Sequence, residues 1–315
     1  METKILKIDS KKPQKSKINV AANIIKNSQL VAFPTETVYG LGANGLDKKA
    51  VKKIFIAKGR PQDNPLILHV CNQEQIKTLV KEIPIKAKKL MDKFWPGPLT
   101  IIFKKSKIVP KIITGNLNTV AIRMPKNKIA LELIKESGYP LAAPSANLSG
   151  KPSPTSAKHV FDDLKGKIPL IMDGGKVEIG IESTVIDMTS KIPQILRPGK
   201  ITKKRIEKII GKIKKTAFLK TKKPKSPGMK YKHYSPKAKV IIINSLKEKK
   251  EIILKYPQKK IKFLKYESVI KMAKNMFNDF RLCDQKGYDI ILVKEIKDKE
   301  FGFAIMDRLK KASGK

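Results

Sequence analysis

The sequence predicts an α/β fold in two domains, on three observations. Short apolar runs of strand length alternate with segments of helical periodicity along the 315 residues. A stretch rich in Lys, Pro and Gly with little periodicity, 211–238, interrupts that pattern. Beyond it the alternation becomes regular, strand then helix three times over, as in a small parallel sheet with flanking helices. The expected organisation is a first domain over 1–210, a basic linker over 211–238 and a second domain over 239–315.

Within the first part, 18–29 reads as an amphipathic helix, with Ile18, Ala21, Ala22 and Ile25 on one face. The apolar run 30–33 is a strand, and the Gly-rich segment after it reads as a turn. Residues 48–57 are helical and stop at Gly59 and Pro61. A strand over 66–70 precedes two helices, near 73–81 and 84–94. Pro96-Gly97-Pro98 breaks the chain before a strand at 99–103. Short strands at 120–122 and 141–143 flank a helix at 127–137. Helix 155–164, strands at 168–172, 184–188 and 193–197, and helix 202–210 close this part. In the second part, strands at 239–243, 261–264 and 289–293 alternate with helices at 245–255, 267–280 and 301–312.

The chain holds 69 Lys and Arg against 27 Asp and Glu, a net charge of +42, and 41% hydrophobic residues. The apolar share is enough for a real core and excludes a wholly disordered chain. Two cysteines exclude a disulfide framework, and three histidines outside any Cys/His cluster argue against structural zinc. No apolar run reaches the ~18 residues of a membrane helix and the N-terminus is too polar for a signal peptide. A cytoplasmic protein is expected.

The charge is nearly all lysine. Only Arg60, Arg123, Arg197, Arg205, Arg281 and Arg308 are arginines. A compositional bias toward Lys explains this at least as well as an RNA partner, since charge alone reports solubility and non-specific binding. Contact with RNA through the basic surface, densest over 201–234, stays open. A retained Arg in such a chain points to a need for its planar five-donor fork.

Neither the phosphate loop GxxxxGK[ST] nor the dinucleotide motif GxGxxG nor the nucleophile elbow GxSxG is present. Five unusual stretches remain. Phe33-Pro34-Thr35-Glu36-Thr37 follows a strand end, where α/β proteins bind ligands, and an ordinary turn does not need Thr-Glu-Thr. Lys58-Gly59-Arg60 pairs a point charge with a bidentate fork, which suits a polyphosphate and equally a solvated helix end. Ser145-Ala146-Asn147 could hold an anion, or merely cap a helix. Glu182-Ser183-Thr184 and Leu196-Arg197-Pro198-Gly199 are weak singly. Glu36 could ligate a metal or be a hydrogen-bonded structural acid. His159 and His233 read as structural histidines.

Taken together and in order, FPTETVYGLG (33–42), KGRPQDNPLILHV (58–70), WPGPLT (95–100), AIRMP (121–125), APSANLSG (143–150), IESTVID (181–187) and LRPG (196–199) resemble the YrdC-type threonylcarbamoyl-AMP synthase family. SPGMKYKHYSP (226–236) and IMDRL (305–309) resemble the linker and extra domain of its long form. The resemblance implies a YrdC-like open, twisted mixed sheet with a large concave pocket, and a smaller Rossmann-like C-terminal domain. It implies that L-threonine, bicarbonate and ATP are joined into threonylcarbamoyl-AMP with release of pyrophosphate. A separate transferase would then use the product to modify adenosine 37 of tRNAs reading ANN codons.

By the same resemblance Lys58, Arg60, Ser145 and Asn147 form the catalytic signature. Gln62, Thr119, Ser153, Arg197 and Tyr234 join Lys58 and Ser145 around ATP. Thr35, His69, Arg123, Ala143 and Ser183 line the threonine pocket. Tyr234 would act from the linker as a lid. Magnesium would arrive on the ATP phosphates, with no protein metal site assigned and no organic cofactor. Gln62-Asp63 departs from the apolar residues frequent at that place in the family.

Overall fold

The computed structural model describes residues 1–214, 233–298 and 300–314. Its elements run β1 (Lys4–Lys7), α1 (Lys15–Lys26), β2 (Val31–Phe33), β3 (Gly40–Asn44), α2 (Lys48–Lys58), β4 (Ile67–His69), α3 (Glu74–Leu79) and α4 (Ile85–Phe94). Then come β5 (Leu99–Lys104), α5 (Lys111–Thr114), β6 (Thr119–Arg123), α6 (Lys128–Ser137), β7 (Leu141–Ala142), α7 (Ala157–Leu164), β8 (Leu170–Asp173), β9 (Thr184–Asp187), β10 (Gln194–Arg197) and α8 (Lys203–Ile210). The last six are β11 (Lys239–Ile243), α9 (Leu246–Lys255), β12 (Ile261–Leu264), α10 (Val269–Gln285), β13 (Ile290–Lys294) and α11 (Phe301–Ser313).

The first ten strands form one sheet in the order β1-β8-β2-β3-β7-β4-β6-β5-β9-β10. It is mixed: β1, β8 and β2 run parallel, whereas β3 pairs antiparallel with both β2 and β7. The other three form a wholly parallel sheet, β11-β13-β12, as the regular alternation predicted.

Four elements differ most from expectation. Helix α1 begins at Lys15 and ends by Lys26, because Ser28 takes a left-handed φ of 58° that a helix cannot include. The Gly-rich segment read as a turn is in part strand β3, and only 34–39 make the turn. Gly42 is there for close packing: a Cβ would come within 2.7 Å of the Phe33 ring. Strand β1 and the one-turn helix α5 were not anticipated. Of the expected linker, 215–232 lies outside the described residues, and with it most of the SPGMKYKHYSP match.

The two sheets share a core. Ile179 and Ile181, from the loop before β9, pack in one buried cluster with Tyr234 and with Met276, Phe277 and Phe280 of α10. Gly180 between them has φ +89°, and a Cβ on it would lie 2.2 Å from the Ala273 carbonyl oxygen on α10. Two arginines bridge the same boundary. Arg281 on α10 donates to the Asp163 carboxylate at 2.7 Å and to the Pro152 carbonyl. Arg308 on α11 reaches Glu182 at 3.1 Å. No helix among the described residues is long and apolar enough to cross a membrane.

Candidate active site

A cavity of about 710 Å³, counted with its open mouth, lies where the ends of β2, β4 and β7 meet the segments 145–153, 182–183 and 233–234. It is built from loops that leave strand ends and from the C-terminus of α2.

Gly59 caps α2 in the left-handed conformation and turns the chain so that Lys58 and Arg60 both face inward. The Lys58 ammonium is buried and donates to the carbonyls of Ser145 and Asn147. An ammonium has three donors, so one remains for a ligand. Burial pushes the Lys58 pKa well below the ordinary lysine value, and the neighbouring Arg60 charge pushes it further. Arg60 is anchored by Nε to the Asn64 carbonyl at 3.2 Å and by Nη2 to the Pro65 carbonyl at 3.0 Å. Asn147 spends its amide on the Leu148 and Lys151 carbonyls, at 2.7 and 3.0 Å. Its buried Oδ1 has no hydrogen-bond partner among the described residues.

At the end of β2 the Thr35 hydroxyl closes a turn by donating to the Val38 carbonyl at 2.6 Å. Thr37 accepts from Arg123 Nη1 at 2.9 Å. Arg123 Nη2 also lies 2.7 Å from Glu36, both side chains being buried. That contact is close but off-line, and neither Glu36 oxygen accepts a hydrogen bond among the described residues. Glu36 is thus the buried counter-ion of Arg123. Arg197 holds Ser183 through its carbonyl at 3.0 Å and its hydroxyl at 3.1 Å. His69 ends β4; burial first, and Arg123 second, lower its pKa to about 3, so its ring is neutral. Its Nδ1 is buried without a hydrogen bond among the described residues.

Lys58, Arg60, Arg123, Lys151 and Arg197 line the cavity, against one lining carboxylate, Glu182. Such an imbalance favours anionic ligands. Twelve of the fourteen candidate residues converge there: Lys58, Arg60, Ser145 and Asn147; Ser153, Arg197 and Tyr234; Thr35, His69, Arg123, Ala143 and Ser183. Gln62, which is exposed, and Thr119 are not among the lining residues.

Several lining residues carried no assigned role in the sequence, among them Thr37, Lys151, Glu182 and His233. Thr37 and Glu182 sat in motifs noted for other members. His233 is a correction, since it was read as structural. It lines the cavity beside Tyr234, and its buried Nε2 lacks a hydrogen bond among the described residues. His159 does match its structural reading, with Nδ1 accepting from the Thr155 N–H at 3.2 Å. Tyr234, at φ +64°, stacks on Phe277 of α10 with ring centres 5.4 Å apart. No cluster of three His, Cys, Asp or Glu side chains among the described residues could hold a metal ion.

Fold and cavity together define an α/β protein whose large mixed sheet carries an open, cationic cavity, with helices of the small-sheet part packed against its wall. Sequence comparison makes the class specific. The Sua5/YciO/YrdC family model, described as telomere recombination, matches residues 23–199. The model of the threonylcarbamoyl-AMP synthase C-terminal domain matches 201–314. The chain is 50% identical over 320 residues to the threonylcarbamoyl-AMP synthase of Pyrococcus abyssi, covering 95% of this chain and 94% of that protein. It is 46% identical over 319 residues to the Bacillus subtilis enzyme of the same name, covering 93% and 92%. The crystal structure of P. abyssi Sua5 complexed with L-threonine superposes with a TM-score of 0.95 at 48% identity, covering 99% of this chain and 98% of that one. The chain belongs to the threonylcarbamoyl-AMP synthase family.

Proposed function

We propose that this chain is a nucleotidyltransferase that joins L-threonine, bicarbonate and ATP into L-threonylcarbamoyl-adenylate and pyrophosphate. The observation that carries the reading is the cationic cavity, in which the family's Lys-x-Arg and Ser-x-Asn residues meet the Thr35, Arg123 and Ser183 cluster. The P. abyssi relative bound to L-threonine supports the amino acid as one ligand.

In this reading the threonine amine first attacks the bicarbonate carbon, a C–O bond breaks and water leaves, giving a carbamate. Its carboxylate oxygen attacks the α-phosphorus of ATP, the bond from that phosphorus to the bridging oxygen breaks, and pyrophosphate leaves with the electron pair. Two anions must be brought into contact, so the protein's work is positioning and charge neutralisation rather than acid–base chemistry. Lys58, with a donor to spare, and Arg60 sit beside the phosphates. Ser145 and the unpartnered Asn147 Oδ1 hold a phosphate-bound water or the magnesium that enters on the triphosphate. Arg123 takes the threonine carboxylate, with Thr35, His69, Ala143 and Ser183 around the side chain. Ser153, Arg197 and Tyr234 border the nucleotide. Tyr234 and His233 cover it and keep water from a hydrolysable mixed anhydride. Gln62 and Thr119 act on the nucleotide only from outside the cavity wall. The product feeds a separate transferase acting on adenosine 37 of ANN-decoding tRNAs, in the cytoplasm.

Pyrophosphate release from Mg·ATP and bicarbonate, with and without L-threonine, tests this. We expect release that depends on threonine and is lost when alanine replaces it. Release indifferent to the amino acid, or none, would refute the assignment.

A further inference from the structure

Arg308 is fully buried on α11, in the small-sheet part of the chain, and is not itself a lining residue of the cavity. Its Nε donates to Glu182 Oε2 at 3.1 Å, and its Nη1 donates to the Pro198 carbonyl at 2.8 Å and to Asp307 Oδ2 at 2.8 Å. Its guanidinium carbon lies 5.7 Å from the centre of the Tyr234 ring. Glu182 and Tyr234 both line the cavity, so one arginine of the small-sheet part touches two residues of the site wall.

The charges around it are unequal. Asp307 has a second cation, the Lys311 ammonium at 2.9 Å. Glu182 feels a second cation, Arg197, only through space: its other oxygen accepts from a neutral hydroxyl, Ser153 Oγ, and Arg308 is its direct ion-pair partner among the described residues. A bare carboxylate in the wall of a low-dielectric cavity repels a triphosphate, whereas a paired one presents little field.

We propose that Arg308 is a positioning residue for ATP: it neutralises and orients Glu182, so that the small-sheet part of the chain completes the cationic cavity of the large one. The inference rests on the function proposed above and adds a role for the second part of the chain. A merely structural arginine, gluing two bodies together, makes a different prediction. Its loss would lower the Tm and weaken L-threonine and ATP binding alike, because an uncompensated buried carboxylate destabilises the folded wall as a whole. Loss of a neutralising charge is repaired when the charge it neutralised is removed.

The experiment compares full-length Arg308→Met, the double variant Arg308→Met/Glu182→Gln and Arg308→Lys. Mg·ATP binding is read by calorimetry, and kcat and KM are read from threonine-dependent pyrophosphate release. We expect Arg308→Met to raise the Kd and KM for ATP about tenfold, with the KM for L-threonine moved far less. The double variant should return ATP affinity to within about threefold of the parent. Unchanged ATP affinity in Arg308→Met overturns the proposal, and so does a tenfold loss that Glu182→Gln does not relieve. If Arg308→Met yields no folded protein, Arg308→Lys decides. It keeps the charge, so affinity should stay within about threefold, and a tenfold loss in the folded variant overturns the proposal. A parent chain without threonine-dependent release would sink the functional reading instead, while Mg·ATP binding still decides the role of Arg308.

Discussion

At Lys58 two of three ammonium donors are fixed by backbone carbonyls, so the charge is held in place before any ligand arrives. Lys58→Ala and Arg60→Ala should each cut adenylate formation by at least a hundredfold, the scale of losing one pre-placed electrostatic group. Turnover near the parent rate in either variant refutes the assigned role. A second expectation concerns acid. His69 and His159 are held neutral by burial, with pKa values of about 3 and 4 against an ordinary 6.5. Between those limits the unfolded chain binds protons that the folded chain refuses. Their stabilising contribution is therefore complete above pH 6.5 and is lost as the pH falls through that window, by about 1–2 kcal/mol each at pH 5. The Tm should drop between pH 7 and pH 5, and His159→Gln should flatten the drop; an equally steep profile in that variant would refute its share. At this scale the sequence was most readable where residues come in unusual groups. Lys58/Arg60, Ser145/Asn147 and Thr35 stood out by their neighbours and all reached the cavity. Arg308 was noted among the few arginines and within IMDRL, yet its role was not legible, because the sequence carries no sign of a partner 126 positions away.

Among the elements, the strands and helices with strong apolar periodicity were found close to their observed limits, α4 and β11 among them. Those whose residues serve a neighbour rather than their own pattern were not. Strand β3, Gly40–Asn44, has no β-branched or aromatic residue, since it is the Phe33 ring beside it that excludes side chains. Strand β1 sets Ile5 and Leu6 side by side between two lysines at an exposed edge, with no alternation and too little burial to be recognised. The loop before β9 supplies a test. Gly180 combines a left-handed φ with a hypothetical Cβ 2.2 Å from a carbonyl of α10. Gly180→Ala should lower stability by about 2–4 kcal/mol. Because Ile181 leads directly into Glu182, it should also weaken ATP binding. A variant with parental Tm would show that α10 can yield at this contact.

Over the whole molecule, 69 cationic side chains face 27 anionic ones, and among the described residues surface ion pairs such as Lys77–Glu74 and Lys271–Glu267 join partners that are largely exposed. Such pairs add little, so mutual repulsion of surface lysines opposes the compact state. Raising NaCl from 50 to 500 mM shortens the screening length from roughly 14 to 4 Å and should raise the Tm by several degrees. A Tm that falls or stays level would mean that the surface lysines are already compensated. The division of the chain at a change in pattern was legible because the second sheet obeys the simplest rule, strand then helix with parallel neighbours. The way the two bodies hold each other was not, because it rests on a glycine, two arginines and an aromatic stack that are far apart in sequence.

The order of strands at one edge of the large sheet has a consequence in time. β8 lies between β1 and β2, so Ile5 meets its neighbour only when Ile171 has been made. At about 5–20 residues per second, a ribosome takes roughly ten to thirty seconds to cover that interval. Through that delay the first strand is an unmatched ribbon, and its lysines and short length keep it from finding other chains. β1 is thus made early and fastened only once β8 has followed it.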